Sequence, residues 1–133
     1  TKTLGEDRLI EAFYAYKKLK ASVLLIDAGT FTTMDVVTGN GLQGGYIIPG
    51  IKAFNESFQK GEQLKSFELD QHLSSELPHS SQEAMRDSYF AFAALAQKLI
   101  SEHHLEKVIL TGGNLSLWQH IFDQLKIPTI VEV

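Results

Sequence analysis

A cluster of polar residues directly follows an apolar run near the start of the chain. The apolar run is Leu24-Leu25-Ile26, and the polar residues after it are Asp27, Gly29, Thr30, Thr33 and Asp35. A nucleotide phosphate requires backbone N–H groups that can approach it closely, hydroxyl donors, and an acid that holds a counter-cation. This stretch offers a glycine, two threonine hydroxyls and two carboxylates. The pattern is typical of a phosphate and cation site where a strand turns.

The same residues are also typical of a plain β-hairpin. Threonine is a good strand former, and Asp-Ala-Gly-Thr can simply make a turn. Taken alone, the stretch from Asp27 to Asp35 favours the hairpin. Other motifs are needed to decide between the two interpretations.

Length and composition limit the class of protein. The chain has 133 residues, 44% of them hydrophobic, which is enough for one ordinary core and a single domain. Its net charge is −4, and its main basic cluster is Lys17-Lys18-Leu19-Lys20, so we do not expect nucleic acid as a partner. The absence of Cys fits a reducing compartment. Since the apolar runs are too short to span a bilayer, we expect a cytoplasmic protein without membrane association.

Periodicity predicts the elements that would position the polar cluster. It indicates helices over 7–20, 51–61, 80–104 and 117–125, strands over 23–27, 31–37, 42–48, 108–111 and 129–133, a tight turn at Thr38-Gly39-Asn40-Gly41, and a long connection over 62–80. In this order the strands first meander and later alternate with helices. Such an order predicts an α/β fold, with a mixed sheet and helices packed on it.

Three further motifs accompany the Asp27-Ala28-Gly29-Thr30 stretch. They are Gly5-Glu6-Asp7-Arg8, Gly44-Gly45-Tyr46-Ile47-Ile48-Pro49-Gly50 and Leu110-Thr111-Gly112-Gly113. In this order and spacing, the four motifs resemble type III pantothenate kinase, a family of the acetate kinase, sugar kinase and actin-like superfamily. The resemblance covers nearly all of the chain but only the C-terminal part of such an enzyme. It implies that residues 1–133 form one domain, with a ribonuclease-H-like mixed sheet flanked by helices, corresponding to the C-terminal half of an actin-like ATPase fold.

The resemblance also implies a catalytic base and a set of substrate contacts. It assigns the base to Asp7 and pantothenate contacts to Gly5, Glu6, Arg8 and Ser81. A carboxylate beside a primary hydroxyl can take its proton during in-line phosphoryl transfer, and arginine can bind a carboxylate bidentately. Without the other motifs, the residues favour a structural interpretation, in which Asp7 is a helix N-terminal acid and Arg8 a solvated side chain. Ser80 or Ser81 is equally a helix cap.

For the nucleotide, the resemblance assigns Asp27 to a monovalent cation, K⁺ or NH4⁺, and Thr30 with Gly29 to ATP phosphate. A cation there would neutralise charge that develops on the transferred phosphoryl group, and Mg²⁺ would accompany the nucleotide. Gly112 and Gly113 resemble the adenosine contact of the superfamily, although a strand-Gly-Gly-helix turn is common in α/β domains. Phe31 replaces a small family residue and either crowds the phosphate loop or packs beneath it.

Glycines on the third predicted strand also match the family. The resemblance implies that Gly44-Gly45 and Pro49-Gly50 permit close packing beside the substrate and a dimer partner. These residues are equally typical of turns that end a strand and precede a helix. Ser88 stands where the family usually has glycine, which predicts altered packing in the long helix.

Two functions follow from the resemblance. The first is ATP-dependent phosphorylation of pantothenate to 4'-phosphopantothenate, the first step of coenzyme A biosynthesis, by a homodimer. The family's first phosphate-binding element, an Asp-x-Gly-Asn-Thr-like hairpin, does not occur in this sequence. We therefore expect the chain alone to be inactive unless another chain supplies that half. The alternative is a non-catalytic transcription-accessory or regulatory protein of the same fold, which Phe31 and Ser88 favour.

Overall fold

The computed structural model describes residues 20–59 and 76–132, together with Lys17 and Ser74. Within these residues a sheet contains the strands β1 (Val23–Ala28), β2 (Phe31–Thr38), β3 (Gly41–Pro49), β4 (Lys107–Thr111) and β5 (Ile130–Val131). The helices are α1 (Ile51–Gln59), α2 (Ser81–Asp87), α3 (Phe90–His103) and α4 (Leu115–Gln124). The described residues thus contain an α/β fold, as the sequence predicts.

The sheet is mixed, and β1 lies at its centre. The strand order is β3-β2-β1-β4-β5. The first three strands form an antiparallel meander, whereas β4 pairs parallel to β1 and β5 parallel to β4. This is the ribonuclease-H-like arrangement that the sequence predicts. One consequence is that the carboxyl ends of β1, β3 and β4 meet the start of β2 at a single edge, called the carboxyl edge below.

One face of the sheet packs against helices and forms the main core. It carries alternate residues of β1, namely Leu24, Ile26 and Ala28, because successive side chains in a strand point to opposite faces. The ring of Trp118 on α4 lies 5.9 Å from the ring of Tyr89, and both residues are fully buried in this core. Burial of a large apolar side chain contributes about 1.5–3 kcal/mol, so these helices are held firmly on the sheet.

The opposite face of the sheet carries a smaller apolar cluster and then polar residues. Val23 and Leu25 of β1, Val37 of β2 and Ile109 of β4 form this second cluster. Continuing the alternation along the three strands toward the carboxyl edge places Asp27, Thr33 and Thr111 on the same face. The polar residues therefore share one surface at one end of the sheet.

The prediction of one long helix over 80–104 is wrong, because the segment contains two helices, α2 and α3. Between them, the Ser88 hydroxyl donates to the Met85 carbonyl at 2.6 Å, and the Tyr89 N–H donates to the Arg86 carbonyl at 3.3 Å. A serine hydroxyl that bonds back to the preceding turn competes with the α-helical pattern. The apolar periodicity runs through this break, so it gives no sign of it.

The other described elements lie close to their predicted positions. β1 extends to Ala28, and β3 begins at Gly41 and includes Pro49, which an edge strand tolerates. α4 begins two residues earlier than predicted, at Leu115, and the last strand is limited to Ile130–Val131. Most of the helix predicted over 7–20 and most of the connection predicted over 62–80 lie outside the described residues.

Candidate functional site

Strand ends and the turns that follow them build the candidate site at the carboxyl edge. Phe31 pairs with Pro49 across β2 and β3, and Asp27 pairs with Thr111 across β1 and β4. The β1–β2 turn is closed by a hydrogen bond from the Gly29 N–H to the Phe31 carbonyl, at 3.0 Å. Segments that are distant in sequence thus converge on the loop from Asp27 to Thr30.

The turn between β4 and α4 packs directly on the Asp27 carboxylate. Gly112 has a φ of +97°, and a Cβ at this position would lie 2.6 Å from Asp27 Oδ1 and 2.7 Å from the Ala28 carbonyl oxygen. Only glycine fits such a backbone conformation at such a distance. The Asn114 N–H donates to the same Ala28 carbonyl at 2.8 Å and holds the turn in place. A Cβ on Gly113, by contrast, would meet nothing within 4 Å.

The end of β3 supports the same loop from its other side. A Cβ on Gly50 would overlap the Thr30 carbonyl oxygen and would lie 2.8 Å from that of Gly29. The preceding residue, Pro49, accepts a hydrogen bond from the Tyr89 hydroxyl at 2.9 Å. Burial raises the pKa of Tyr89, which keeps the phenol protonated and able to donate. The loop is therefore clamped between two glycine contacts.

The functional groups of the loop are accessible. Asp27 and Gly29 are half-buried, and Thr30 is exposed. In the part of the chain that the structure describes, no salt bridge neutralises the Asp27 carboxylate. Within the same part, no group of three or more His, Cys, Asp or Glu residues could hold a metal ion. A cation bound at Asp27 would therefore need oxygen ligands of another kind.

Thr33 offers such an oxygen. It is the cross-strand partner of Asp27, and only 6% of its surface is exposed. Its hydroxyl oxygen is buried and forms no hydrogen bond with any described residue. A buried hydroxyl without a partner is costly, and a bound ion or water is one way to satisfy it.

The remaining predicted site residues divide into two groups. Gly5, Glu6, Asp7 and Arg8 lie outside the described residues, so their roles remain predictions. Ser81 is exposed at the first position of α2 and is not the helix cap, because the Ser80 hydroxyl accepts the Glu83 N–H at 3.1 Å. The Ser81 side chain is therefore exposed to solvent and does not have the capping role.

Two positions that depart from the family pattern also have clear environments. The Phe31 side chain is 58% exposed, so the alternative in which it packs beneath the phosphate loop is wrong. Ser88 is exposed and ends α2.

On β3, a Cβ on Gly45 would lie 2.6 Å from Asp35 Oδ1, so Gly45 permits close packing within a strand and is not part of a turn.

Sequence reasoning missed several contributors to the site. It treated Gly112 and Gly113 alike, whereas the structure gives Gly112 alone a contact with Asp27. It gave no role to Asn114, whose side-chain amide also donates to the Gly29 carbonyl at 3.5 Å. The signal that could have found Asn114 is its position directly after a glycine pair that ends a strand.

The strand order and strand directions define the class of protein as a ribonuclease-H-like α/β domain. Within that class, a sequence model described as type III pantothenate kinase matches residues 1–102, and the chain belongs to this family. The sequence-based assignment is therefore confirmed.

Curated relatives named type III pantothenate kinase agree with this result. The protein from Sulfurimonas denitrificans is 30% identical over 125 residues, which cover 91% of this chain and 55% of that protein. The protein from Persephonella marina is 31% identical over 134 residues, which cover 90% of this chain and 52% of that protein. The chain thus spans about half the length of the curated relatives it matches.

A solved structure shares the fold. It is that of a protein from Campylobacter jejuni described as a member of the Baf family of transcriptional activators. The match has a TM-score of 0.68 and 22% identity, and covers 92% of this chain and 56% of that one. At this identity the likeness shows the fold alone.

Across the described residues, no helix is long and apolar enough to cross a membrane.

Proposed function

We propose that the protein to which this chain belongs transfers the γ-phosphoryl group of ATP to pantothenate and forms 4'-phosphopantothenate. The family match and the names of the relatives support this activity. The structural observation that carries it is the clamped loop from Asp27 to Thr30, on which Gly112 and Gly50 pack without side chains. We further propose that the protein acts as a cytoplasmic homodimer and catalyses the first step of coenzyme A biosynthesis.

In the proposed reaction, the primary hydroxyl of pantothenate attacks the γ-phosphorus and gives its proton to the Asp7 carboxylate. The bond from the γ-phosphorus to the bridging oxygen breaks, and ADP leaves with that electron pair. Arg8 binds the carboxylate of pantothenate, and Gly5, Glu6 and the exposed hydroxyl of Ser81 complete the substrate contacts.

The nucleotide is proposed to bind at the carboxyl edge. The exposed Thr30 hydroxyl donates to a phosphate oxygen, and Gly29 allows the backbone to approach. Gly112 and Gly113 lie against the adenosine. When bound, Mg²⁺ with the nucleotide and a monovalent cation, K⁺ or NH4⁺, at Asp27 supply positive charge that offsets the charge of the phosphates. The orphaned Thr33 hydroxyl beside Asp27 is what makes the described residues fit such a cation.

The chain by itself is proposed to be inactive. It spans about half of its relatives, and the Asp-x-Gly-Asn-Thr-like hairpin that the family resemblance calls for does not occur in it. The regulatory alternative gains no support from the solved activator, since that likeness shows the fold alone. The Phe31 side chain is 58% exposed, so it can still crowd a bound phosphate, and the support that this residue gives to the regulatory alternative stands.

The proposal is tested on the complete protein by measuring ADP formation that depends on pantothenate, with the mass of the product checked. Asp7→Asn should lower kcat by about 10²–10⁴-fold, the usual contribution of a general base. The matched control is Asp123→Asn, which changes an exposed acid on α4 and should keep the turnover of the wild type. A complete protein that leaves pantothenate unmodified, or an Asp7→Asn variant with full turnover, would contradict the assignment. Turnover by residues 1–133 alone would contradict the need for a second half.

A further inference from the structure

Three oxygen-bearing side chains form a row across the sheet at the carboxyl edge. Asp27 of β1 pairs with Thr33 of β2 on one side and with Thr111 of β4 on the other. The apolar residues two positions earlier on β1 and β4, Leu25 and Ile109, pair with each other and belong to the same cluster, so the row extends that face. Neighbouring strands lie about 4.7–4.9 Å apart, a separation that a single small ion can bridge.

We propose that Thr33 and Thr111 supply neutral hydroxyl oxygens to the monovalent cation held by the Asp27 carboxylate. This inference rests on the cation role proposed above for Asp27 and adds the groups that complete its coordination. It assigns a binding function to a hydroxyl that has no partner among the described residues.

The charge of the row favours a cation over an anion. A phosphate oxygen placed against Thr33 would lie beside the Asp27 carboxylate, which no described salt bridge neutralises, and the two negative charges would repel each other. A cation would instead be attracted by the carboxylate and would accept lone pairs from both hydroxyls. The buried position of Thr33 strengthens this attraction, because water screens charges less in the protein interior.

The ligand chemistry favours a monovalent ion over a divalent one. The row offers one carboxylate and two neutral oxygens, so a single positive charge neutralises it. Proteins that bind Ca²⁺ use several carboxylates or six to eight oxygens, and Mg²⁺ keeps most of its waters in an octahedral shell.

The test measures the thermal midpoint of the complete protein as KCl replaces tetramethylammonium chloride at constant ionic strength. An ion that binds only the folded state raises the midpoint in proportion to the logarithm of its concentration above its Kd. Thr33→Val and Thr111→Val remove a hydroxyl at nearly constant volume. Because changes even to groups behind metal ligands weaken binding roughly 10–100-fold, each should raise the half-saturating KCl concentration at least about tenfold.

Two control variants separate coordination from packing. Thr33→Ser keeps the hydroxyl and should keep the KCl response within about threefold of the wild type, since the ligand oxygen is unchanged. Thr129→Val alters a threonine beside Val108 near the start of β4, at the other end of the sheet, and should leave the response unchanged. In tetramethylammonium chloride alone, Thr33→Val should be at least as stable as the wild type, because it removes a buried hydroxyl that has no partner.

Each outcome decides the proposal. An unchanged KCl response in Thr33→Val and Thr111→Val, or the absence of any response in the wild type, overturns it. A Thr33→Val variant that is destabilised without potassium also overturns it, since the hydroxyl would then have a structural partner. The kinase assay is read separately: turnover without a KCl response rejects only this inference, whereas a KCl response without turnover rejects only the proposed function.

Discussion

Replacing Gly112 with alanine is a direct test of how the candidate site is built. The change adds one methyl group at a residue with a φ of +97°, where that methyl would lie 2.6 Å from Asp27 Oδ1 and 2.7 Å from both the carbonyl carbon and oxygen of Ala28. Three separate costs arise from these contacts. They are backbone strain, displacement of the carboxylate and displacement of the strand end.

The magnitudes rank these costs. A residue with a Cβ in a sparsely populated conformation of positive φ costs about 1–3 kcal/mol. The carboxylate of Asp27 can rotate away cheaply, but Ala28 is backbone of the central strand and is fully buried, so the sheet itself must shift. Overpacking of this kind costs typically about 1–3 kcal/mol. We expect Gly112→Ala to lower the free energy of unfolding by about 2–6 kcal/mol, a large share of the roughly 5–15 kcal/mol of a typical domain.

The neighbouring glycine supplies the matched control. A Cβ on Gly113 would meet nothing within 4 Å, so Gly113→Ala should change the free energy of unfolding by at most about 1 kcal/mol, in the stabilising direction if the backbone accepts alanine. Both variants are measured by urea denaturation of the complete protein, with the m-values compared to confirm a common transition. Equal midpoints for the two variants would refute the close packing of the β4–α4 turn on β1.

Three further substitutions test the start of α2 and the junction between α2 and α3. Ser80→Ala should cost about 1 kcal/mol in the free energy of unfolding, because it removes the cap of α2, and urea denaturation should show this. Ser81→Ala should leave that value unchanged and raise the KM for pantothenate. If Ser81→Ala instead lowers stability and Ser80→Ala raises the KM, then Ser81 is the cap and Ser80 contacts the substrate. Tyr89→Phe removes the hydrogen bond to the end of β3 and should cost about 0.5–1.5 kcal/mol at neutral pH. Since burial raises the pKa of Tyr89 above 10.0, its contribution is complete below pH 10 and is lost as the pH rises through the folded-state pKa. Alkaline denaturation curves of wild type and Tyr89→Phe should converge; parallel curves would show that Tyr89 does not titrate with unfolding.

The strands and their order could be predicted because apolar alternation and turn residues are local signals. The Asn40-Gly41 pair, for example, marks the β2–β3 turn from the sequence alone. The choice between hairpin and phosphate site at Asp27 could not be made locally, and the structure accommodates both, since β1 and β2 are an antiparallel pair whose turn also forms the clamped loop. The difference between Gly112 and Gly113 depends on a contact with a residue 85 positions earlier, and the helix break lies where the Ser88 hydroxyl donates to the Met85 carbonyl. Periodicity carries neither kind of information.

The convergence of distant segments at the carboxyl edge has a consequence for folding. The loop from Asp27 to Thr30 reaches its clamped form only when Gly50 and Gly112 pack against it. In sequence, two strands separate Gly50 from the loop, and several helices lie between Gly50 and Gly112. A partly folded chain therefore has no half-formed version of the site. Ligand binding at this loop is therefore coupled to the free energy of global unfolding. A nucleotide or ion bound there should slow amide hydrogen exchange throughout β1, β3 and β4 together, and not in the contacting loop alone.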